Sequence, residues 1–203
     1  MKPTDKIRVL VVDDSALVRT IISRVLKRDP SIEVVGVAAD AYEARDMILE
    51  LSPNVVTLDI EMPRMDGITF LRILMKYHPM AVVVVSSLTQ EGSAKTFEAL
   101  EAGAVDVLGK PVNTARMPEF EGDLLAKVKS AAFARLRAAT SAGMSSARLP
   151  PQRNSKSLDA ILLGASTGGV EALKEVLTGL PEDLPPVCIV QHIPAYISSR
   201  FAA

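Results

Sequence analysis

Five short apolar runs alternate with segments that carry apolar residues at helical spacing, and no other feature constrains the fold as strongly. The runs cover residues 7–12, 32–37, 55–58, 81–85 and 104–108. Apolar runs of this length, bounded by turn signals, are typical of buried parallel strands. Strands that alternate with helices predict an α/β domain with a five-stranded, doubly wound parallel sheet and right-handed crossovers.

The segments between the runs carry the signals of helix ends. Ser15 is a candidate N-cap for the first helix, and Asp29-Pro30 ends it. The other four expected helices cover residues 41–51, 68–77, 93–100 and 118–138. Residues 139–157 lose all apolar periodicity and are rich in Ala, Ser and Pro, so we interpret them as a linker. The expected domains are therefore residues 5–138 and 158–203.

Polar side chains follow four of the five expected strands. Asp13 and Asp14 come after the first strand, Asp59 after the third, Ser86 after the fourth and Lys110 after the fifth. Because the carboxyl ends of parallel strands share one edge of the sheet, these side chains should lie together where ligands bind. Taken alone, Asp59 is as well explained as a helix-capping or turn aspartate. The other strand ends favour a functional role.

Three clustered carboxylates repel one another unless a cation lies between them. Mg²⁺ prefers oxygen ligands and leaves room for a phosphoryl oxygen, while Lys110 and Ser86 suit a phosphoryl group. We therefore interpret the edge as an aspartyl phosphorylation site. Asp59 would be the nucleophile, and Asp13 and Asp14 would hold the metal.

These residues resemble the receiver domains of two-component response regulators over about residues 5–130. The resemblance implies the strand order 2-1-3-4-5, with Asp59 as phosphoacceptor and a Mg²⁺ cofactor. It implies that Asp14 binds the metal directly, Asp13 binds it through water, and the carbonyl of Glu61 completes the site. It also implies a cis peptide bond before the proline that follows Lys110.

One position departs from the receiver pattern. Receivers often carry an aromatic residue three positions before the lysine, and Val107 stands there in this chain. The usual coupling of an aromatic rotamer to phosphorylation is therefore in doubt.

A second strand–helix–strand unit begins at residue 158, with strands expected at 158–163 and 187–191 and a helix at 170–177. Ser166 lies in the Gly-rich turn after its first strand, and His192 follows its second. Three interpretations compete: a phosphate-binding loop, an α/β-hydrolase nucleophile elbow, and a methylesterase site. The first lacks the Walker lysine, and the second leaves no room for the acid that should come before the histidine.

The third interpretation rests on two motifs that resemble the chemotaxis protein-glutamate methylesterase family. They are Gly-Ala-Ser-Thr-Gly-Gly at 164–169 and Gln-His-Ile-Pro at 191–194. The resemblance implies Ser166 as nucleophile, His192 as general base, and hydrolysis of glutamate methyl esters or glutamine amides on chemoreceptors. It also implies a chemotaxis histidine kinase as phosphodonor.

In that family the aspartate that orients the histidine comes much later in the sequence. We therefore expect residues 158–203 to be an incomplete βαβ fragment of a truncated catalytic domain, because so few residues cannot cover both faces of its sheet. The alternative to a regulated hydrolase is a phosphoacceptor that receives phosphoryl groups without hydrolysing esters.

The amino-acid composition limits the partners and the cellular location that we expect for this chain. Lys and Arg number 23 against 24 Asp and Glu, which argues against a nucleic-acid surface. The chain has a single cysteine, Cys188, which excludes an intrachain disulfide and fits a reducing cytoplasm. Cys188 lies in an apolar run, so we expect it to be buried. No run approaches the ~20 apolar residues that span a bilayer, so we expect a cytoplasmic protein without membrane insertion.

Overall fold

A computed structural model describes residues 6–87, 90–111, 113–134, 160–181 and 183–192. The strands of the first domain are β1 (Ile7–Val12), β2 (Ile32–Ala38), β3 (Val55–Leu58), β4 (Ala81–Ser86) and β5 (Asp106–Gly109). They form one parallel sheet in the order β2-β1-β3-β4-β5, which confirms the order expected from the sequence.

Five helices connect and follow these strands: α1 (Ala16–Leu26), α2 (Ala41–Leu51), α3 (Gly67–Tyr77), α4 (Gln90–Glu101) and α5 (Met117–Ala132). A 3-10 turn over Thr114–Arg116 precedes α5. Ser15 caps α1 through its hydroxyl, as expected, and Asp40 and Asp66 cap α2 and α3. The N-terminal ends of these helices therefore lie at the carboxyl edge of the sheet.

The sheet is covered on both faces, which explains why its strands are mostly apolar. One face packs Leu10, Val56 and Val84 with Leu71 of α3. The other face packs Val9, Val11 and Val83 with residues of α1 and α5, including Ile22 and Leu124. Burial on both faces is the arrangement that continuous apolar strands require.

The strand register sets the position of the carboxyl edge. Val12 lies opposite Leu58 in the β1–β3 pair, and Leu58 lies opposite Val84 in the β3–β4 pair. The backbone N–H of Asp59 donates to the carbonyl of Val12 at 2.9 Å. The residues after β1 and β3 are therefore neighbours.

Some element boundaries and one peptide bond of the first domain differ from the sequence expectations. α4 begins at Gln90, three residues earlier than expected. β5 begins at Asp106, two residues later than expected, because Ala104 still bonds back to α4 at Ala99. α5 ends at Ala132, and the remainder of its expected range, from residue 135, lies outside the described residues, as does the expected linker at 139–157. The peptide bond before Pro111 is trans, so the expected cis bond is wrong; trans is the ordinary state of X–Pro bonds.

The second unit consists of β6 (Ile161–Ala165), α6 (Gly169–Gly179) and β7 (Val187–Gln191), and its two strands pair in parallel. Leu162 and Val190 are 78% and 74% exposed. Cys188 is also exposed, so the expectation of burial is wrong. The physical reason is that, in the described part of the chain, α6 is the helix that packs on this two-stranded sheet.

Candidate functional sites

The carboxyl edge of the first sheet gathers the three predicted carboxylates. Asp13, Asp14 and Asp59 each offer an oxygen within 4.8 Å of the others. Asp13 and Asp59 are 1% and 2% exposed, whereas Asp14 is open to solvent. The register of β1 and β3 brings Asp13 and Asp59 together, and the turn into α1 presents Asp14 at the rim. The cluster has the oxygen chemistry of a site for a hard cation.

Lys110 lies over the two buried carboxylates. Its Nζ is 2.7 Å from Asp59 Oδ2 and 2.9 Å from Asp13 Oδ2. Its backbone N–H donates to the carbonyl of Ser86 at 2.7 Å, which fixes the start of its side chain at the end of β4. Burial lowers the pKa of Lys110, but bonds and charges from Asp59 and Asp13 outweigh that effect and raise it. Lys110 is therefore a cation at neutral pH.

The carboxyl of Asp59 has the most perturbed environment of the cluster. Burial raises its pKa to about 6, although Lys110 and the backbone N–H of Glu61 act in the opposite direction. The nearby charge of Asp13 adds to the increase. A raised pKa caused by burial and a like charge is a sign of a functional carboxylate, because purely structural contacts normally relieve such a cost.

The buried hydroxyl oxygen of Ser86, at the end of β4, has no hydrogen-bond partner among the described residues. Asp13 Oδ2, by contrast, has the ammonium of Lys110 as an ionic partner at 2.9 Å. Buried polar atoms are normally paired, so an unpaired one requires an explanation. A phosphoryl oxygen would supply the partner of Ser86, and the three clustered carboxylates offer the oxygen ligands of a divalent cation. The residues present therefore fit a divalent metal and a phosphoryl group.

Glu61 lies at the start of the loop between β3 and α3. Its backbone N–H donates to Asp59 Oδ1 at 3.3 Å. Its exposed side chain lies 3.8 Å from Lys95 Nζ and 3.4 Å from the hydroxyl of Ser87. Gly67 closes the loop by donating its N–H to the carbonyl of Ile60 at 2.8 Å. The loop backbone is therefore in direct contact with the central carboxylate.

Arg19 contacts the acidic turn and was missed by the sequence analysis. Its Nη1 donates to the carbonyls of Asp13 at 2.7 Å and of Asp14 at 2.9 Å. A basic residue one turn into the helix after an acidic pair was the available sequence signal. Arg19 thus holds the backbone that carries two of the three carboxylates.

The second candidate site lies at the carboxyl edge of the two-stranded sheet. Ser166 Oγ is 3.3 Å from Nδ1 of His192, within reach of a proton transfer, and both residues are exposed. Gln191 donates through Nε2 to the carbonyls of Ser166 at 2.9 Å and of His192 at 3.2 Å, which fixes one backbone relative to the other. Among the described residues, no carboxylate hydrogen-bonds the imidazole.

The Ser166 turn binds directly to the first domain. The N–H of Gly168 donates to the carbonyl of Val105 at 2.9 Å, and Thr167 Oγ1 donates to Asp106 Oδ2 at 2.5 Å. Asp106 is 7% exposed, and its other oxygen accepts from Lys127 Nζ at 2.6 Å. A small pocket of about 10 Å³ lies between the two units, enough for no more than one water molecule.

Asp106 is a second residue of these sites that was not predicted from the sequence. A carboxylate inside the apolar run at 104–108 was the available signal, because an aspartate within a buried strand must have partners. The partners themselves lie 21 and 61 residues further along the chain. Local patterns carry no information on them.

Two family models match the chain. Residues 9–120 match the response regulator receiver domain, and residues 161–203 match the CheB methylesterase family. The chain therefore belongs to the response regulator receiver family. It joins a receiver domain to a stretch of the methylesterase family, and is a CheB-like response regulator.

Relatives and solved structures agree with that assignment. A protein-glutamate methylesterase/protein-glutamine glutaminase 1 of Caulobacter vibrioides is 53% identical over 200 residues, 98% of this chain and 58% of the relative. The response regulator domain of Thermotoga maritima CheB is similar with a TM-score of 0.60 and 44% identity, over 64% of this chain and 99% of that chain. A chain from the complex of the P1 domain of CheA3 with CheY6 of R. sphaeroides matches with a TM-score of 0.55 and 33% identity, over 64% of this chain and 99% of that chain.

The chain thus spans little more than half the length of the Caulobacter relative. None of the helices in the described ranges is both long and apolar enough to cross a bilayer.

Proposed function

We propose that this chain is a phosphorylation-regulated chemotaxis response regulator whose phosphoacceptor is Asp59. The observation that supports it most is the contact of Lys110 Nζ with both Asp59 and Asp13, at the same sheet edge as the unpaired hydroxyl of Ser86. This arrangement suits a carboxylate that must accept, and then hold, a phosphoryl group. The phosphorylated unit would be residues 5–138, and residues 139–157 would link it to the second unit.

In the proposed reaction, an Asp59 oxygen attacks the phosphorus of the donor, an acyl phosphate forms, and the bond to the donor's leaving group breaks. Lys110 and Ser86 bind the phosphoryl oxygens. Asp13, Asp14, Asp59 and the carbonyl of Glu61 would hold Mg²⁺, which neutralises phosphoryl charge when bound. The donor would be the phosphohistidine of a chemotaxis kinase, a partner consistent with the similarity to a chain of the CheA3–CheY6 complex.

The test is incubation with acetyl phosphate and Mg²⁺, followed by mass spectrometry. We expect one phosphoryl group, bound at Asp59 and released by hydroxylamine as an acyl phosphate is. A chain that stays unmodified with saturating donor and Mg²⁺ would contradict the proposal.

The raised pKa of Asp59 gives a prediction for the metal-free protein. The carboxyl should titrate near 6, well above its ordinary value of 3.8. Because the folded-state pKa is above the unfolded one, the contribution of this group to stability is complete below about pH 4 and is lost as pH rises through 6. Mg²⁺ binds the carboxylate form, so it should raise the melting temperature more at about pH 8 than at about pH 5.

Carbon-detected NMR of the Asp59 carboxyl and melting curves with and without Mg²⁺ are the measurements. A titration midpoint close to 3.8, or a Mg²⁺ effect that does not depend on pH, is the result that would contradict this prediction.

We further propose that Ser166 and His192 are the nucleophile and the general base of a protein-glutamate methylesterase site. His192 would accept the Ser166 proton as the hydroxyl attacks the ester carbonyl, and would return it to the leaving methanol, or to ammonia from a glutamine. Water would then hydrolyse the acyl-serine with His192 again as base, which frees Ser166 and leaves a glutamate carboxylate. The substrates would be methylated glutamates, or glutamines, on chemoreceptors, as the names of the relatives indicate for those proteins.

A second candidate function is a phosphoacceptor that does not hydrolyse esters. The observation that favours it is a difference between the two sites. Among the described residues, no carboxylate hydrogen-bonds the imidazole of His192, whereas Asp59 lies with two further carboxylates and Lys110. Loss of an orienting acid costs about 10⁴ in rate in a serine hydrolase. A hydrolysis assay on methylated receptor, with the phosphorylated chain, separates the two: turnover that depends on Ser166 supports the hydrolase, and its absence the phosphoacceptor.

Regulation would act through the contact between β5 and the Ser166 turn. Lys110 directly follows β5. At the other end of this strand, Asp106 accepts a hydrogen bond from Thr167, and the carbonyl of the preceding Val105 accepts one from Gly168. We propose that the unphosphorylated receiver binds the turn in this way and releases it when Asp59 is phosphorylated.

We expect Thr167→Val to loosen that contact without changing the receiver itself. A hydrogen bond to a charged group contributes about 1.5–3 kcal/mol, so the N–H of Gly168 should exchange with solvent at least about ten-fold faster. Hydrogen exchange by NMR is the measurement. Thr178→Val is the matched control, since Thr178 donates to the carbonyls of Lys174 and Glu175, both of which lie within α6. Equal effects of the two variants on Gly168 would contradict the assignment.

A further inference from the structure

Arg64 lies in the loop between β3 and α3 in an unusual conformation. Its φ is 68°, in the left-handed region that side chains other than glycine rarely adopt. Such conformations are sparsely populated and persist where surrounding contacts hold them. The Arg64 side chain makes contacts of this kind.

The guanidinium of Arg64 binds two residues of the neighbouring connection between β2 and α2. Its Nη2 forms an ion pair with Asp40 Oδ2, and its central carbon lies 5.3 Å from the ring centroid of Tyr42. The Asp40 side chain is 6% exposed, and its other oxygen caps α2 by accepting from the N–H groups of Tyr42 and Glu43. A buried carboxylate that is paired with a cation makes a persistent attachment point, because breaking the pair would leave its charge buried without a partner.

This contact attaches the loop on one side of Asp59 to the rigid N-terminus of α2. Three residues before Arg64, the N–H of Glu61 donates to Asp59 Oδ1. Three residues after it, Gly67 returns to the carbonyl of Ile60. The position of the Glu61 amide therefore depends on a loop whose outer end is held by the Arg64 contact.

We propose that Arg64, with Asp40 and Tyr42, is a positioning residue for phosphorylation: it holds the β3–α3 loop so that the Glu61 amide stays bonded to the Asp59 carboxylate. This inference rests on the proposed role of Asp59 as phosphoacceptor. Arg64 itself does not touch the reacting atoms. It acts on the orientation of the nucleophilic carboxylate and of the loop that lines its site.

Two variants test the contact of Arg64 with Asp40 and Tyr42, which we call the clamp, one variant on each side of the ion pair. Arg64→Asn removes the guanidinium and keeps a residue that tolerates positive φ. Asp40→Asn keeps an oxygen that can cap α2 and removes the charge that binds Arg64. Arg72→Gln is the matched control, because Arg72 is 58% exposed against 61% for Arg64 and also forms an ion pair, with Glu98 of α4.

The readouts are the amide resonance of Glu61 in the metal-free, unphosphorylated protein and the rate of labelling by acetyl phosphate with Mg²⁺. We expect both clamp variants to change the chemical shift of the Glu61 amide proton toward that of an amide with a weaker hydrogen bond. We expect labelling to slow by about ten-fold, comparable with the loss of an outer partner at a metal site. The double variant should be no slower than Arg64→Asn alone, and Arg72→Gln should match wild type in both readouts.

A purely structural role would lower the melting temperature and leave the Glu61 resonance and the labelling rate unchanged, and that result overturns the inference. If wild type itself is not labelled, the proposed phosphorylation fails, and the Glu61 resonance alone decides on the clamp. If Arg64→Asn does not fold, Asp40→Asn decides by the same two readouts.

Discussion

Asp59→Asn should reduce labelling by acetyl phosphate to the level of a protein-free blank, because an amide oxygen is not a nucleophile that forms a stable acyl phosphate. The variant should still fold. Asn is close in volume to Asp, and Lys110 keeps its contact with Asp13 at 2.9 Å. Mass spectrometry of the intact chain after incubation with the donor and Mg²⁺ gives the labelling, and circular dichroism gives the folding.

Asp46→Asn is the control for this experiment. Asp46 is an exposed carboxylate of α2 that, within the described residues, pairs with the adjacent Arg45, and its substitution should leave labelling at the wild-type level. Persistent labelling of Asp59→Asn at the wild-type rate would place the acceptor elsewhere and would contradict the proposed receiver chemistry. Loss of labelling in both variants would point to a defect in folding and not to the nucleophile.

The arrangement around Asp59 was predictable because it follows from topology alone. In a parallel sheet, residues that follow aligned strands must meet at one edge, whatever the details of side-chain packing. The apolar runs located the strand ends, and the residues after them were polar. The sequence therefore predicts that Asp13, Asp59 and Lys110 lie together, as the structure has them.

Contacts between side chains that are far apart in the sequence could not be predicted in the same way. Arg64 binds Asp40 across 24 residues, and Asp106 binds Thr167 across 61. Periodicity is a local property, so it identifies a buried face and not the residue that packs on it. The exposed Cys188 shows the same limit, since an apolar strand is buried only if another layer covers it.

Boundaries of elements were also less predictable than their existence. Gly164 and Ala165 were assigned to a turn because of the Gly-rich motif, yet both pair with β7, opposite Val190 and Gln191. The pairing partner extends the strand to the residue before Ser166, and this places the hydroxyl at the sheet edge. A glycine signal alone does not distinguish a turn from the last residues of a paired strand.

Gly67→Ala should have the largest effect on stability. A Cβ atom at Gly67 would lie 2.1 Å from the carbonyl oxygen of Asp59 and 2.8 Å from Cα of Ile60, and both are backbone atoms of the strand end. Neither can move without displacing the loop or the Asp59 backbone. We expect a loss of more than about 4 kcal/mol in the free energy of unfolding, a large part of what a domain of this size possesses. Urea denaturation followed by circular dichroism is the measurement.

Gly122→Ala is the matched control, since Gly122 lies within α5 and an added Cβ would meet nothing within 4 Å. Alanine is the better helix former, so this variant should be more stable than wild type by about 0.5–1 kcal/mol. The same chemical change is thus expected to have opposite signs at the two positions, because at Gly67 the backbone that carries Asp59 occupies the space of a side chain. If Gly67→Ala unfolds at the wild-type urea concentration, the close approach of the loop to Asp59 does not exist in solution.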